Sequence, residues 1–250
     1  MAIKMINGAE FLHVPKTGGS WIYSVLESNN LVLSSIGHKH ADFDFSLFPD
    51  RSLSGREHIL KAYQLLRYKF STKNKAQFEQ PFKFCFVRNP LNWYESWWKY
   101  MEGRNWNNWG EVNSAKNWHP NSVLNGLGSS DFNEFIWNVI KERPGYVTEL
   151  FFSYTKAGIS FIGRYENLRQ DLYDVLNILN FNIDHESLMN SQKVNVSKVL
   201  SSEVEWDPML KETITKLELP AMIHFGYLNK DEQHELGVHK YISPNRKLHK

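Results

Sequence analysis

Three groups of residues in this sequence have the types and spacing to do chemistry. The first is Lys16-Thr17-Gly18-Gly19-Ser20, set between the apolar run Phe11-Leu12-His13-Val14-Pro15 and Trp21-Ile22-Tyr23-Ser24-Val25-Leu26. A strand, a glycine turn and a helix start in that order make an anion site. The glycines let the backbone approach, free N–H groups point at the anion, and the helix dipole favours negative charge. Lys16 adds a full positive charge, so the expected ligand is a phosphate or a sulfate. The lysine precedes the glycines, which separates this turn from the G-x-x-x-x-G-K-[ST] nucleotide loop. The second group is Arg88 with Ser96 eight residues later. A guanidinium in the turn before a helix reaches back along it and, with a hydroxyl, clamps a phosphate. The third is His38-Lys39-His40, a polar loop whose imidazoles are suited to taking a proton near neutral pH.

Periodicity outlines the elements that must hold these groups. Glu10–Val14 reads as a strand, and Gly18 to about Ser28 as a helix with Trp21, Ile22, Val25 and Leu26 at helical spacing. Leu31–Ile36 is a short apolar segment, and Arg56–Phe70 an amphipathic helix with Ile59, Tyr63, Leu66 and Phe70 on one stripe. Phe82–Val87 is nearly continuous in apolar residues, as a central parallel strand requires, and ends at Arg88-Asn89-Pro90. Pro90 suits a first helical position, so Leu91–Met101 is predicted helical. Residues 103–130, with Trp106, Trp109 and Trp118, read as a loop excursion. Asp131 is placed to cap a helix over Phe132–Glu142, followed by a helix over Val147–Thr155. Ile159–Tyr165 is a second good strand, and Glu166–Leu179 a helix with Leu168, Leu172, Val175 and Leu179 inward. Residues 180–201 read as irregular, Pro208 to about Tyr227 as helical with a break at Pro220, and 229–250 as a polar tail. Strands alternating with helices predict one domain over 1–250, a three-layer α/β/α fold around a mainly parallel sheet.

Composition bounds the function. A chain of 250 residues with 42% hydrophobic and 14% aromatic residues supports a large core. A net charge of +2 is too weak to indicate a nucleic-acid partner. The single cysteine, Cys85, excludes an internal disulfide and reads as a buried small hydrophobe. No apolar run reaches the length of a membrane span, and Met1–Gly8 is too short and polar for a leader, so a cytoplasmic protein is expected. His38 and His40 lack the carboxylate or cysteine partners of a metal site, so no metal is expected. In an open sheet, ligands bind beyond the carboxyl ends of parallel strands. That rule brings Lys16–Ser20, Arg88, Arg164 and Glu166 to one rim, where a nucleotide phosphorylated at both its 5′ and 3′ ends would meet both anion motifs.

Pro15-Lys16-Thr17-Gly18-Gly19-Ser20-Trp21 resembles the 5′-phosphosulfate loop of sulfotransferases that use 3′-phosphoadenylyl sulfate (PAPS). Phe84-Cys85-Phe86-Val87-Arg88-Asn89-Pro90, with Ser96, resembles their 3′-phosphate motif. Ile162–Leu168, His38-Lys39-His40-Ala41 and Phe225-Gly226-Tyr227 resemble further segments of the carbohydrate-type branch, and the matches follow family order over about 10–230. The resemblance implies a P-loop-like form of the fold and sulfuryl transfer from PAPS to a hydroxyl of a carbohydrate or other polyol, leaving adenosine 3′,5′-bisphosphate. It implies that Lys16 meets charge on the leaving oxygen, and that Thr17, Gly18, Gly19 and Ser20 hold the 5′-phosphate. It further implies that Trp21 stacks near the adenine, that Arg88 and Ser96 hold the 3′-phosphate, and that residues 193–198 close over the nucleotide. For Trp21 an ordinary core tryptophan is an equal alternative. His40 is the first choice of general base and His38 the second; Glu57 and Glu95 are carboxylate alternatives. The sequence departs from the family at Leu91-Asn92-Trp93-Tyr94, where a charge pair is usual, and at Pro220. A P-loop-like nucleotide kinase and a non-catalytic nucleotide-binding module on the same fold are the other readings open.

Overall fold

The computed structural model describes residues 2–37, 39–44, 81–103, 119–192 and 204–228. Among the described residues five strands form one sheet: β1 (Ile3–Met5), β2 (Glu10–Leu12), β3 (Val32–Ser35), β4 (Lys83–Val87) and β5 (Phe161–Arg164), in spatial order β3-β1-β2-β4-β5. The helices are α1 (Gly19–Ser28), α2 (Pro90–Glu102), α3 (Phe132–Glu142), α4 (Tyr146–Tyr154), α5 (Leu168–Ile178), α6 (His185–Asn190), α7 (Pro208–Leu217) and α8 (Leu219–His224). His38, Glu57, the helix expected over 56–70, Trp106, Trp109, Trp118, residues 193–198 and the tail 229–250 lie outside the described residues. Among the described residues no helix is long and apolar enough to cross a membrane.

The α/β arrangement agrees with the sequence, but the sheet is mixed. Strands β2, β4 and β5 run parallel, with Leu12 opposite Cys85, Cys85 opposite Ile162 and Val87 opposite Arg164. Strand β1 is antiparallel to both β2 and β3. It was not foreseen, although Asn7-Gly8 is the dipeptide of a tight hairpin. Gly8 has φ 88°, Met5 N–H donates to Ala9 O at 2.7 Å, and Ala9 N–H donates to Asn7 Oδ1 at 3.1 Å. So short a connection can only return the chain antiparallel.

The parallel strands are apolar on both faces because both faces are covered. Phe11, Phe84 and Phe86 pack against α1 and α5 through Ile22, Val25, Leu26, Leu172 and Val175. Leu12, Cys85 and Val87 point the other way, into a cluster with Trp93, Tyr94, Phe135 and Phe151 from α2, α3 and α4. Cys85 is fully buried, and burial raises its thiol pKa beyond the usual range, so it stays a protonated hydrophobe. Lys83 breaks the apolar run. It is 1% exposed and pairs with Glu10 at the amino-terminal end of β2 and β4.

Caps set the helix ends where the sequence placed them. Asp131 Oδ1 accepts from Glu134 N–H at 2.8 Å to start α3, and Asn89 Oδ1 accepts from Leu91 N–H at 3.0 Å to start α2 behind Pro90. Pro220 divides α7 from α8 as expected, and Glu218 sits buried at the junction. Its carboxylate accepts from Tyr94 Oη at 2.6 Å, from Thr148 N and Oγ1 at 2.7 Å each, and from Val147 N at 3.1 Å, which ties the carboxy-terminal helices to α2 and α4. Helix α6 falls in a segment expected to be irregular. Its six residues are too few for periodicity to reveal, and Asp184 caps it through Ser187 N–H at 2.6 Å.

Candidate functional site

The parallel strands are in register, so their carboxyl ends form one rim, and the groups expected to do chemistry leave the sheet there. After β2 the backbone enters the left-handed region at Lys16 (φ 64°) and again at Gly18 (φ 83°), then starts α1 with no side-chain cap. No N–H of Thr17, Gly18, Gly19 or Ser20 donates to a described acceptor. A helix start with open donors carries partial positive charge and binds anions. The two glycines are required by their neighbours. A Cβ on Gly18 would strike Leu168 and Tyr165, and one on Gly19 would overlap the His13 ring. Thr17 is buried and its hydroxyl donates to Val14 O at 2.9 Å, so only its backbone N–H remains to serve a ligand. The Ser20 hydroxyl, half-buried in the first turn of α1, makes no hydrogen bond to a described residue.

Arg88 arrives at this turn from the end of β4. Its Nη1 donates to Lys16 O at 3.4 Å and its guanidinium lies 4.2 Å from the Tyr165 ring centroid. Its Nε is buried with no hydrogen-bond partner among the described residues. Burial lowers the Arg88 pKa from its usual value, while Tyr165 and Glu166 oppose that shift. The segment after β5 braces the arrangement: Glu166 accepts from Asn89 N–H at 2.8 Å and from Tyr227 Oη at 3.1 Å, and Arg164 Nη1 donates to Gly226 O at 3.3 Å. Trp93 Nε1 donates to Pro15 O at 2.8 Å and fastens α2 to the turn. Ser96 is half-buried on α2, and no hydrogen bond joins it to Arg88.

An aromatic circuit encloses the other side of the turn. Lys16 Nζ lies 4.2 Å from the Tyr100 ring centroid. Tyr100 meets Trp97 at 5.7 Å, and Trp97 stacks on His119 at 5.7 Å. His119 meets His40 at 4.6 Å, His40 meets His13 at 4.6 Å, and His13 fills the space left open at Gly19. His40 is 6% exposed. Its Nδ1 lies 2.9 Å from His13 O, and Tyr154 Oη donates to His40 O at 2.7 Å. A carbonyl only accepts, so Nδ1 carries the proton of the neutral ring and Nε2 is the basic nitrogen. Burial, then His119, pulls the His40 pKa down to about 3, against the bond to His13 O. Burial, then His40, holds His13 well below the usual histidine range.

These shifts give an expected acid response. A histidine whose pKa is depressed by folding contributes its full stability above the unfolded value of about 6.5 and loses it as pH falls. His13 and His40 together should remove about 2–3 kcal/mol of stability per pH unit below that value, continuing toward pH 3 for His40. Urea denaturation midpoints measured between about pH 7 and pH 5 check this, and His40→Gln should flatten the slope by about half. An unchanged slope in that variant would show that His40 is not held neutral.

Several expectations are refined. Trp21 is 5% exposed within the core cluster on α1, and its Nε1 donates to Ser191 Oγ at 3.2 Å, the core-tryptophan alternative. Glu95 accepts from Trp206 Nε1 at 2.7 Å, which occupies it structurally. His13, Tyr100, His119 and Tyr165 join the site without having been singled out. The i, i+4, i+7 spacing of Trp93, Trp97 and Tyr100 marked one helix face, but no local pattern linked His119 to His40. Among the described residues no group of three histidine, cysteine, aspartate or glutamate side chains is arranged to hold a metal ion. Comparison with protein-family models, curated proteins and solved structures returned no significant match.

Proposed function

We propose that the chain is a PAPS-dependent sulfotransferase on a P-loop-like α/β/α fold, moving a sulfuryl group to a hydroxyl of a carbohydrate or other polyol. The observation that carries this reading is the meeting of the two anion motifs. Arg88 touches the Lys16 carbonyl while the N–H groups of Thr17–Ser20 remain open beside it. Covered apolar faces on both sides of the sheet support the architecture.

The residues fit such a nucleotide. The turn at Thr17–Ser20 would take the 5′-phosphate, and Arg88 with Ser96 the 3′-phosphate. The bound nucleotide supplies the activated sulfuryl group; everything else falls to side chains of this chain. Lys16 meets the negative charge that collects on the bridging oxygen as the S–O bond breaks and its electron pair leaves with the phosphate. His40 Nε2 takes the proton of the acceptor hydroxyl as the new O–S bond forms. Neutral His40 is available for this at pH 7, and a polyanion bound in the turn opposes the burial that keeps its basicity low.

Titration calorimetry with adenosine 3′,5′-bisphosphate tests the reading. The wild type should bind, and Arg88→Ala should weaken binding by about 10–100-fold, the worth of hydrogen bonds to a charged group. Absent binding, or an Arg88→Ala variant that binds as well as wild type, sinks it. Magnesium-dependent binding of ATP in its place would favour the kinase.

A further inference from the structure

We infer that Asn125 is a site of covalent modification, where water converts the side-chain amide to an acid through a cyclic imide, and that the fold directs this chemistry to Asn125 and away from Asn7. The inference is independent of the sulfotransferase reading. Asparagine followed by glycine is the pair most open to this reaction, because glycine has no Cβ to hinder ring closure and its backbone turns freely. The chain contains two such pairs, Asn7-Gly8 and Asn125-Gly126. Side-chain exposure alone would choose Asn7, which is exposed where Asn125 is half-buried. The hydrogen bonds reverse that choice. The attacking atom is the glycine backbone nitrogen, which must first give up its proton to solvent. At the hairpin that proton is held: Gly8 N–H donates to Met5 O at 2.9 Å, and Asn7 Oδ1 is engaged by Ala9 N–H at 3.1 Å. At the second pair it is open. Gly126 is exposed, and among the described residues neither its N–H nor the Asn125 C=O or side-chain amide makes a hydrogen bond.

The reaction balances with water and hydroxide as the other reactants. Gly126 N loses its proton to hydroxide and bonds to Asn125 Cγ; the Cγ–Nδ2 bond breaks, and its nitrogen leaves as ammonia. Closing the ring turns the Asn125–Gly126 peptide away from ψ 134°, and with that peptide unbonded and Gly126 at φ 85° the rotation breaks no hydrogen bond. Water then opens the imide. Attack at Cγ leaves aspartate. Attack at the backbone carbonyl carbon leaves isoaspartate, whose chain runs through Cγ and is longer by one methylene. The position makes that extension felt. Asn125 ends the short 3-10 helix Pro120–Leu124, which His119 caps by accepting from Asn121 N–H on Nδ1 at 3.1 Å. Leu124 is fully buried on one side. Leu127 is held on the other, its N–H donating to Leu124 O at 3.1 Å and its carbonyl accepting from Asn138 Nδ2 at 3.1 Å. An extra carbon between these two anchored residues loosens the bond from Leu127 N–H to Leu124 O.

Peptide mapping by mass spectrometry tests this on the full chain, held folded in mildly alkaline buffer and sampled over time. Asn125 should convert to the acid at least about tenfold faster than Asn7, because Gly8 N–H meets solvent only when the hairpin opens. In urea the two pairs should convert at like rates, which assigns the difference to the fold rather than to neighbouring residues. Fragmentation that distinguishes isoaspartate from aspartate identifies the product at position 125. In the isoaspartate form the Leu127 amide should exchange its hydrogen at least about tenfold faster than in unmodified protein. The inference is overturned by an Asn7 that converts as fast as Asn125 in the folded chain, by an Asn125 that does not convert there, or by a preference for Asn125 that persists in urea. Unchanged Leu127 exchange in the isoaspartate form overturns the loosening of the turn alone.

Discussion

On the proposed sulfotransferase reading, replacing Lys16 with alanine is expected to lower sulfuryl transfer from PAPS by about 10²–10³-fold, the cost of removing one donor aimed at developing charge. The position argues for it. Lys16 is a non-glycine residue at φ 64°, a backbone conformation that costs energy and persists where the surroundings impose it. That conformation sends the side chain across to Tyr100, with Nζ 4.2 Å from the ring centroid, while the backbone carbonyl receives Arg88 Nη1. The same residue thus joins the aromatic circuit to the second anion motif. Asparagine tolerates the left-handed region, so Lys16→Asn separates lost charge from backbone strain. Both variants should lose turnover, and binding of adenosine 3′,5′-bisphosphate should fall less, because the ammonium acts on charge that is greatest in the transition state. Release of labelled sulfate under single-turnover conditions is the readout. A Lys16→Asn enzyme that works within a few-fold of wild type removes Lys16 from the chemistry.

The second large effect lies at the opposite end of the strands. Lys83→Ala should destabilise the fold by about 3–5 kcal/mol, because it leaves the Glu10 carboxylate buried without its partner. For a chain of this size that is a fall of about 10 °C in melting temperature. The double change Lys83→Met with Glu10→Leu should recover most of the loss, since a buried ion pair replaced by apolar groups of like volume is close to neutral. Differential scanning calorimetry of the wild type and the two variants decides between a pair that carries stability and one that does not. On the proposed reading, nucleotide binding by the double variant should stay near wild type, because the pair sits at the amino-terminal ends of β2 and β4 and the proposed anion site beyond their carboxyl ends. A double variant as unstable as Lys83→Ala would show that the pair has a role beyond mutual neutralisation.

Local rules carried a large part of the fold into the sequence. The 3.6 period, the Asp131 cap, Pro90 at a helix start and Pro220 at a helix break all act within a few residues, and the helices they mark within the described residues are present, while the one read over 56–70 lies outside them. The turn at Lys16–Ser20 and the arginine at the end of β4 are local signals as well, because a strand end, a glycine pair and a helix start are contiguous in the chain. What pairs across the sheet is set by distant segments meeting, and no window of sequence contains it. Lys83 looked like an interruption of an apolar strand until Glu10 came into register beside it, 73 residues away. Trp21 offered a stacking face in sequence, and packing placed it in the core instead.

The site divides the same way. Lys16 and the glycine turn were marked by residue type and spacing, because anion binding at a helix start is a property of a few adjacent atoms, whereas the roles expected of Arg88 and His40 came from the family resemblance. The tertiary structure decided which carbonyl fixes the His40 tautomer, which amide fixes that of His119, and which aromatic ring faces the Lys16 ammonium. Those choices depend on groups from β2, α2 and the 119–121 turn meeting within a few ångströms. Such contacts follow from how the layers pack, and neither composition nor periodicity encodes them.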